Sequence, residues 1–271
     1  MQETGNSTEF EHSKTIIRVA GNSISLSTTN LLEESRVAFE PYKTKNGISK
    51  AANLRDILAK SQLAKQPSAQ ALLFVDTPVI LVPIDEFEEK EAENIYNHTA
   101  INTNQDTVDY NVLPELNCVA IYSVNKDLKN VVNDNFKKTR TRHILISVWT
   151  HFYKKSHSAV CKRTYCYFEN GNLNIFTFAH NRFKFCNTFP VSNATDAAYY
   201  ILYVWQQLAI NQEKDELYLI GNMPEAEKLT TLLRQYIGNM HLVAPKTEVN
   251  ATLAGVNDMP FDLMLYHTKG K

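Results

Sequence analysis

Between Tyr165 and Ala179 the chain reads YCYFENGNLNIFTFA, and this stretch decides the fold. Two apolar, aromatic-rich runs flank Glu169-Asn170-Gly171-Asn172. Asn-Gly tolerates the positive φ that a type I′ turn requires at both central residues, so the pattern predicts a tight hairpin. Phe183 to Val191 supplies a third strand. Ser192 or Asn193 then caps a helix expected to run to Ile210, with Asp196 in its first turn. Two stripes of that helix lie side by side: Ala197, Ile201, Val204 and Leu208, then Ala198, Leu202, Trp205 and Ala209. A helix apolar over that width is expected to be central and buried. Tyr199, Tyr200 and Tyr203 on it are expected as core residues whose polar tips reach water or a partner. A strand at Leu217–Ile220, a helix from Met223 or Pro224 to about Ile237, and a strand at Met240–Val243 complete the order β-β-β-α-β-α-β.

Working outward, the first half shows the same order with insertions. Thr15–Val19 and Ile24–Ser27 read as strands around Gly21-Asn22-Ser23, and Val37–Tyr42 as a third. Ser49 caps a helix whose inward face is Ala52, Leu54, Ile57, Leu58 and Leu63. Ala71–Val75 has the short apolar character of a parallel-sheet strand. Val79–Val82 resumes extended structure, and Pro83 leads into an acidic helix over Asp85–Thr99 whose first-turn carboxylates suit the helix dipole. Residues 100–106 read as a loop. Strands follow at about 107–113 and 117–124. Asn125 caps a helix to about Phe136, Arg140–Ile144 is a strand, and Ser147–Lys155 a helix with Val148, Trp149 and Phe152 inward. The predicted organisation is a disordered tail over 1–13, a lobe over 14–145, a second lobe over 146–249, and a segment over 250–271 packing on one lobe.

Composition bounds the function classes. A 44% apolar content supports a sizeable core, and a net charge of −1 points to no nucleic acid or membrane on overall charge alone. The polar start MQETGNSTEFEHSK lacks the form of a secretory signal. The longest apolar stretch, Ala197–Trp205, is far below the roughly 20 residues a bilayer span needs. A soluble, cytoplasmic protein without membrane insertion is therefore expected. Cys118, Cys161, Cys166 and Cys186 form no C-x-x-C pair and are expected as reduced thiols. His157, Cys161 and Cys166 match no common zinc spacing, so no metal site is expected. There is no P-loop, no G-x-G-x-x-G and no Gly-x-Ser-x-Gly elbow, and no catalytic residue is assigned.

The duplicated order is the plan of the ribonuclease-H-like and actin-like ATPase folds, an α/β architecture of two lobes of mixed sheet with flanking helices. The chain resembles a bacterial family of unknown function assigned to the actin-like ATPase fold. The likeness is carried by the hairpin Thr15–Thr29, by Leu72-Leu73-Phe74-Val75, by Val119–Val124 before a helix, by Arg142-His143, by the triple-stranded meander, and by Leu219-Ile220-Gly221-Asn222. More distantly the chain is similar to the cytoplasmic actin-like proteins of pilus assembly and secretion. The resemblance implies a phosphate site built from an Asp-x-Gly turn in each lobe, and ATP with Mg²⁺ as its ligand; the residues themselves name no cofactor. The match is partial at Gly21, Gly171 and Gly221. The first turn, Ala20-Gly21-Asn22, has no carboxylate, and the second offers Glu169. Three readings follow: a non-catalytic protein that binds or assembles with a protein partner; a nucleotide-binding or ATPase switch in an interlobe cleft bounded by Gly21, Glu169, Gly171 and Gly221, with Asp76 as a further acid; and a nucleic-acid or phosphate binder.

The third reading rests on residues 137–163. They carry Lys137, Lys138, Arg140, Arg142, Lys154, Lys155, Lys162 and Arg163, with His143, His151 and His157 and no Asp or Glu between. A phosphate, a nucleic acid or an acidic protein would suit such a cluster, and Phe152 and Tyr153 would add stacking. A solvated surface balanced by the acidic segment 85–93 is the plain alternative.

Overall fold

Gly21 adopts φ +53° and is the one central residue of its turn with positive φ, the pattern of a type II′ hairpin. The turn joins β1 (Lys14–Ala20) to β2 (Ser23–Thr29), and Ser23 Oγ donates back to the Ala20 carbonyl at 2.9 Å. In the computed structural model, residues 14–29, 37–65, 68, 70–99, 105–250, 253 and 255–269 are described; the tail expected over 1–13 and most of the loop expected over 100–106 lie outside them. The chain divides into two units: Met1–Pro114, Cys118–Ser147 and Asn250–Lys271 form the first, Glu115–Asn117 and Val148–Val249 the second.

In the first unit β3 (Val37–Lys43), β4 (Gln70–Val75) and β8 (Lys138–His143) join the hairpin in a sheet of order β3-β2-β1-β4-β8. Helix α1 (Lys50–Lys60) is capped by the Ser49 side chain, and α3 (Lys126–Asn135) by that of Asn125. Both pack on the face carrying Ile17, Val19, Leu73 and Val75. Between β4 and α3 the chain builds a small antiparallel sheet, β5 (Val79–Pro83), β7 (Cys118–Asn125) and β6 (Asp106–Leu113), backed by α2 (Ala92–Thr99). Its core centres on Tyr96, Val119 and Ile121. The opposite face of the large sheet receives α7 (Phe261–Lys269), where Tyr266 meets Phe74 edge-on at 5.1 Å.

The second unit repeats the large sheet. Helix α4 (Leu145–Ser156) leads into β9 (Arg163–Glu169), β10 (Asn172–Ala179) and β11 (Arg182–Pro190). Then come α5 (Ala194–Gln207), β12 (Glu216–Gly221), α6 (Ala226–Arg234) and β13 (Asn239–Val243), giving sheet order β11-β10-β9-β12-β13. Helices α5 and α6 cover the face of Cys166, Phe168, Leu217 and Leu219. The other face is aromatic: Phe152 of α4 stacks on Tyr165 at 4.5 Å, and Tyr165 on Phe176 at 5.3 Å.

The registers align the two units residue by residue. Ala20 lies opposite Ser23, and Glu169 opposite Asn172. Val19 lies beside Val75, and Phe168 beside Gly221. Ala20 is thus the counterpart of Glu169, and Val75 of Gly221.

Local expectations fail at definite places. The acidic helix is confined to Ala92–Thr99; Ile84–Glu86 and Glu89–Glu91 are 3₁₀ turns interrupted by extended Phe87 and Glu88. Ile84 and Phe87 turn onto the small sheet's core, and that contact overrides helical continuation. The extended segment expected over Val79–Val82 forms, as an outer strand of the small sheet. Ala51, rather than Ala52, is buried in α1. Helix α5 stops at Gln207, with Ala209 at φ +46°, and α6 spans only Ala226–Arg234. Only one side of α5 is buried: Tyr199 and Tyr203 are 62% and 48% exposed, so they are not core residues. None of the four cysteines is in a disulfide; Cys118 and Cys166 are buried, and Cys161 and Cys186 are half-buried. No described helix is long and apolar enough to cross a membrane.

Candidate functional site

The sheet of the second unit gathers three of the predicted residues at one end. Asn170 and Gly171 take φ +51° and +76°, so the turn is the type I′ hairpin its sequence predicts. Gly171's carbonyl accepts from the Val191 N–H at 2.9 Å, and Glu169 Oε1 from Asn170 Nδ2 at 3.3 Å. Gly221, at φ +90°, ends β12 beside Phe168. A Cβ there would meet the Phe168 carbonyl oxygen at 2.2 Å, so close backbone approach demands glycine whether or not a ligand binds. Asn222 N–H donates to that same carbonyl at 3.3 Å.

A residue missed from the sequence closes the adjoining helix. Glu225, in the left-handed region at φ 44°, accepts from the Ala194 N–H at 3.0 Å, at the start of α5. That backbone bond, then Lys228, holds its carboxyl below the usual range. Asn193 caps the same end by accepting from the Asp196 N–H at 2.9 Å. The positive end of α5, a natural anion seat, is thus met by the protein's own groups.

In the first unit Gly21 holds the matching turn. Its neighbour Ala20 is fully buried. Asn22's carbonyl accepts from both the N–H and the hydroxyl of Thr44, each at 3.0 Å. Asp76 follows β4 at the same sheet end, its N–H donating to the Val19 carbonyl at 3.3 Å. Glu169 is the one carboxylate that the two turns hold. Mg²⁺ bound to phosphate is ordinarily held by carboxylates together with the phosphate oxygens. The two turns do not make the paired set the resemblance implies, so no chemical step is derived through Mg²⁺-ATP. Among the described residues no group of three or more His, Cys, Asp or Glu is placed to hold a metal ion.

The basic stretch 137–163 separates into two chemically different halves. In the second unit each cation is met from within. Lys154 pairs with Glu115 at 3.3 Å, and Lys155 with Glu248, which also takes a 2.6 Å bond from His151 Nε2. Lys162 Nζ donates to the carbonyls of Leu208 and Ala209, each at 2.9 Å. Arg163 binds Glu216 at 2.7 Å. Burial alone would raise the Glu248 and Glu216 carboxyls, but Lys155 and His151 hold the first below the usual range and Tyr218 and Arg163 the second. Tyr153 donates to the Asn181 carbonyl at 3.3 Å, and Phe152 is buried under the sheet, so neither ring is arranged as an open stacking platform.

In the half of the stretch that belongs to the first unit, no lysine or arginine is so paired among the described residues. Lys137, Lys138 and Arg140 are exposed, and among the described residues they and Arg142 make no ion pair or hydrogen bond. Strand alternation puts Lys138, Arg140 and Arg142 on one face of β8, the face of their register neighbours Gln70, Leu72 and Phe74. Arg142 is half-buried, and its Nε is sealed from water without an acceptor. Desolvation pulls its pKa down; the Tyr122 and Tyr266 phenols lie near enough to feel its charge. A buried donor left unmet costs about 1–3 kcal/mol. Beyond Arg142, His143 is buried and neutral: Leu145 N–H donates to Nδ1 at 3.3 Å, so Nε2–H donates to the Thr77 carbonyl at 2.8 Å.

Comparison with known proteins agrees with this architecture. Residues 2–240 match the model of a family described as "Protein of unknown function (DUF3822)". No curated protein matches the chain. A Bacteroides thetaiotaomicron protein described as having an actin-like ATPase fold and unknown function is similar, with TM-score 0.82 and 24% identity over 89% of this chain and 94% of that one. A structure of the PilM-PilN type IV pilus biogenesis complex is similar at TM-score 0.60 and 10% identity, over 93% of this chain and 95% of that one. The fold is therefore the duplicated actin-like ATPase fold.

Proposed function

The chain belongs to the family described as "Protein of unknown function (DUF3822)", and from that premise we propose that it is a non-catalytic protein that works by binding another macromolecule. The observation that carries this is Ala20. A buried methyl stands at the position whose counterpart in the second unit is Glu169, so the first of the two turns that the resemblance assigns to phosphate has no acid. The fold by itself licenses no activity. A protein is the favoured partner class, supported by the likeness to a chain solved within the PilM-PilN complex.

A second reading, a nucleotide-binding switch, is favoured by one observation: Glu169, Gly171 and Gly221 lie together at one sheet end. Thermal unfolding with ATP, ADP and Mg²⁺, run beside a phosphate-release assay, separates the two. A ligand at about 100 times its Kd stabilises by about 2.7 kcal/mol, which raises Tm by several degrees in a chain of this size. The proposal expects no resolvable shift and no phosphate release. A shift of that size together with turnover overturns it in favour of the switch.

A further inference from the structure

The two halves of the basic stretch differ in a way that a solvated surface does not account for. The second unit sets Glu115, Glu216 and Glu248 against its cations of this stretch. On β8 and the residue before it, Lys137, Lys138, Arg140 and Arg142 stand within six residues, with no acid among the described residues paired to any of them. Lysines on an edge strand also discourage unwanted strand pairing, and β8 is an end strand of its sheet. That role explains Lys138 and Arg140. It does not explain Arg142, whose Nε is sealed from water with no acceptor.

The geometry of the row selects its ligand. Lys138, Arg140 and Arg142 are two residues apart, so the row is about 13 Å long with charges roughly 6.6 Å apart. An extended peptide places alternate side chains at the same interval. The row is too short for the 6–10 phosphate contacts typical of duplex binders. No aromatic side chain among the described residues of the first unit is prominently exposed, so a stacking platform for single strands is lacking there. At the far end, Asn111 closes the strand's backbone by donating to the Thr141 carbonyl at 3.2 Å and accepting from the His143 N–H at 3.3 Å. Recognition therefore falls to the side chains.

We infer that Lys138, Arg140 and Arg142, with Lys137 beside them, form a docking site for a short, extended, acidic segment of a partner protein. This rests on the macromolecule-binding reading above. Fluorescence anisotropy of the purified full chain tests it, using a labelled nonapeptide with Glu at alternate positions, the same peptide with Gln, and a 12-nucleotide single-stranded DNA. The Glu peptide is expected to bind, at least tenfold more tightly than the Gln peptide and the DNA. Lys138→Glu with Arg140→Glu should weaken it at least tenfold, and Lys154→Ala should leave it unchanged.

Arg142→Met guards against a purely structural effect: it should weaken the peptide severalfold while leaving Tm unchanged or raised, because an unmet buried cation is lost. A loss of Tm there would overturn Arg142's place in the site. Absence of peptide binding, or tighter binding of the DNA, would overturn the inference. So would a concentration-dependent rise in mass by light scattering that Lys138→Glu abolishes, since that assigns the row to a second copy of the chain. The nucleotide assays are independent of these outcomes: ATP turnover would sink the non-catalytic reading while leaving the peptide result standing.

Discussion

In the first unit the helix that covers the sheet face opposite α1 and α3 is tied down by a buried ion pair amid apolar contacts; in the second the matching face is closed by aromatic rings. Counting back from the two turns, Arg18 of β1 and Tyr167 of β9 hold equivalent positions. Arg18 is 1% exposed and makes a two-pronged bond to Asp262 of α7, Nε to Oδ1 at 2.8 Å and Nη2 to Oδ2 at 2.7 Å. Beside it Lys14 donates to the Tyr266 hydroxyl at 3.2 Å. The second unit seals its face with Phe152, Tyr165, Phe176 and Phe178 instead. The same topology thus tolerates two ways of holding a covering helix. A ring layer is non-directional and yields gradually. A buried ion pair depends on one geometry and leaves a bare charge when half is removed.

The largest effect expected from that difference comes from Asp262→Ala. Removing that carboxylate from beside the buried Arg18 guanidinium should lower stability by about 3–5 kcal/mol, measured by urea unfolding. Replacing both partners with apolar residues, Arg18→Met with Asp262→Leu, should recover most of the loss. Phe152→Leu in the second unit, which keeps much of the buried volume, should cost under about 1.5 kcal/mol. If Asp262→Ala cost no more than Phe152→Leu, the distinction between charge closure and ring closure would fall.

Acid should expose the same asymmetry. His143 and His267 both lie in the first unit, and burial pulls each pKa down to about 4. The unfolded chain holds these imidazoles near 6.5, so between pH 6.5 and 4 it binds more protons than the folded one. Stability from the neutral histidines is therefore fully present above 6.5 and lost as pH falls toward 4. For His143 the loss reaches roughly 3 kcal/mol. Hydrogen exchange at pH 7.5 and 5.0 should show first-unit amides losing protection before second-unit amides. His143→Asn, which keeps a donor and an acceptor, should flatten the dependence. Earlier loss in the second unit would reverse the comparison.

Much of this was readable from local chemistry. Ser49, Asn125 and Asn193 each accept the capping bond their sequence predicts, and Asn170-Gly171 forms its turn. Such signals act over three or four residues. The determinants of the candidate sites do not. Arg18 and Asp262 are 244 residues apart, His151 and Glu248 are 97, and Arg163 and Glu216 are 53. No local pattern reveals that Lys154, Lys155 and Arg163 are answered by acids while Lys138 and Arg140 are not. The acidic helix fails for a related reason. Pro83 and the carboxylates after it resemble a helix start, and only the small sheet's core, drawing in Ile84 and Phe87, makes that segment turn twice instead.

The smallest effect sharpens the comparison at the turns, where the resemblance to a phosphate site began. Gly171 sits at φ +76° with nothing nearer than 4.0 Å to an added Cβ. Gly171→Ala therefore faces only the left-handed backbone cost, about 1–2 kcal/mol. Gly221 differs, because its added Cβ would strike the Phe168 carbonyl at 2.2 Å. If Gly171 is kept only as a turn residue, Gly171→Asn should cost less than Gly171→Ala, since Asn tolerates that backbone and the site is open. Thermal melts of the two variants settle the order. If both cost more than about 3 kcal/mol, Gly171 is held by something other than turn geometry, and the phosphate reading of the second unit regains weight against that of a plain hairpin.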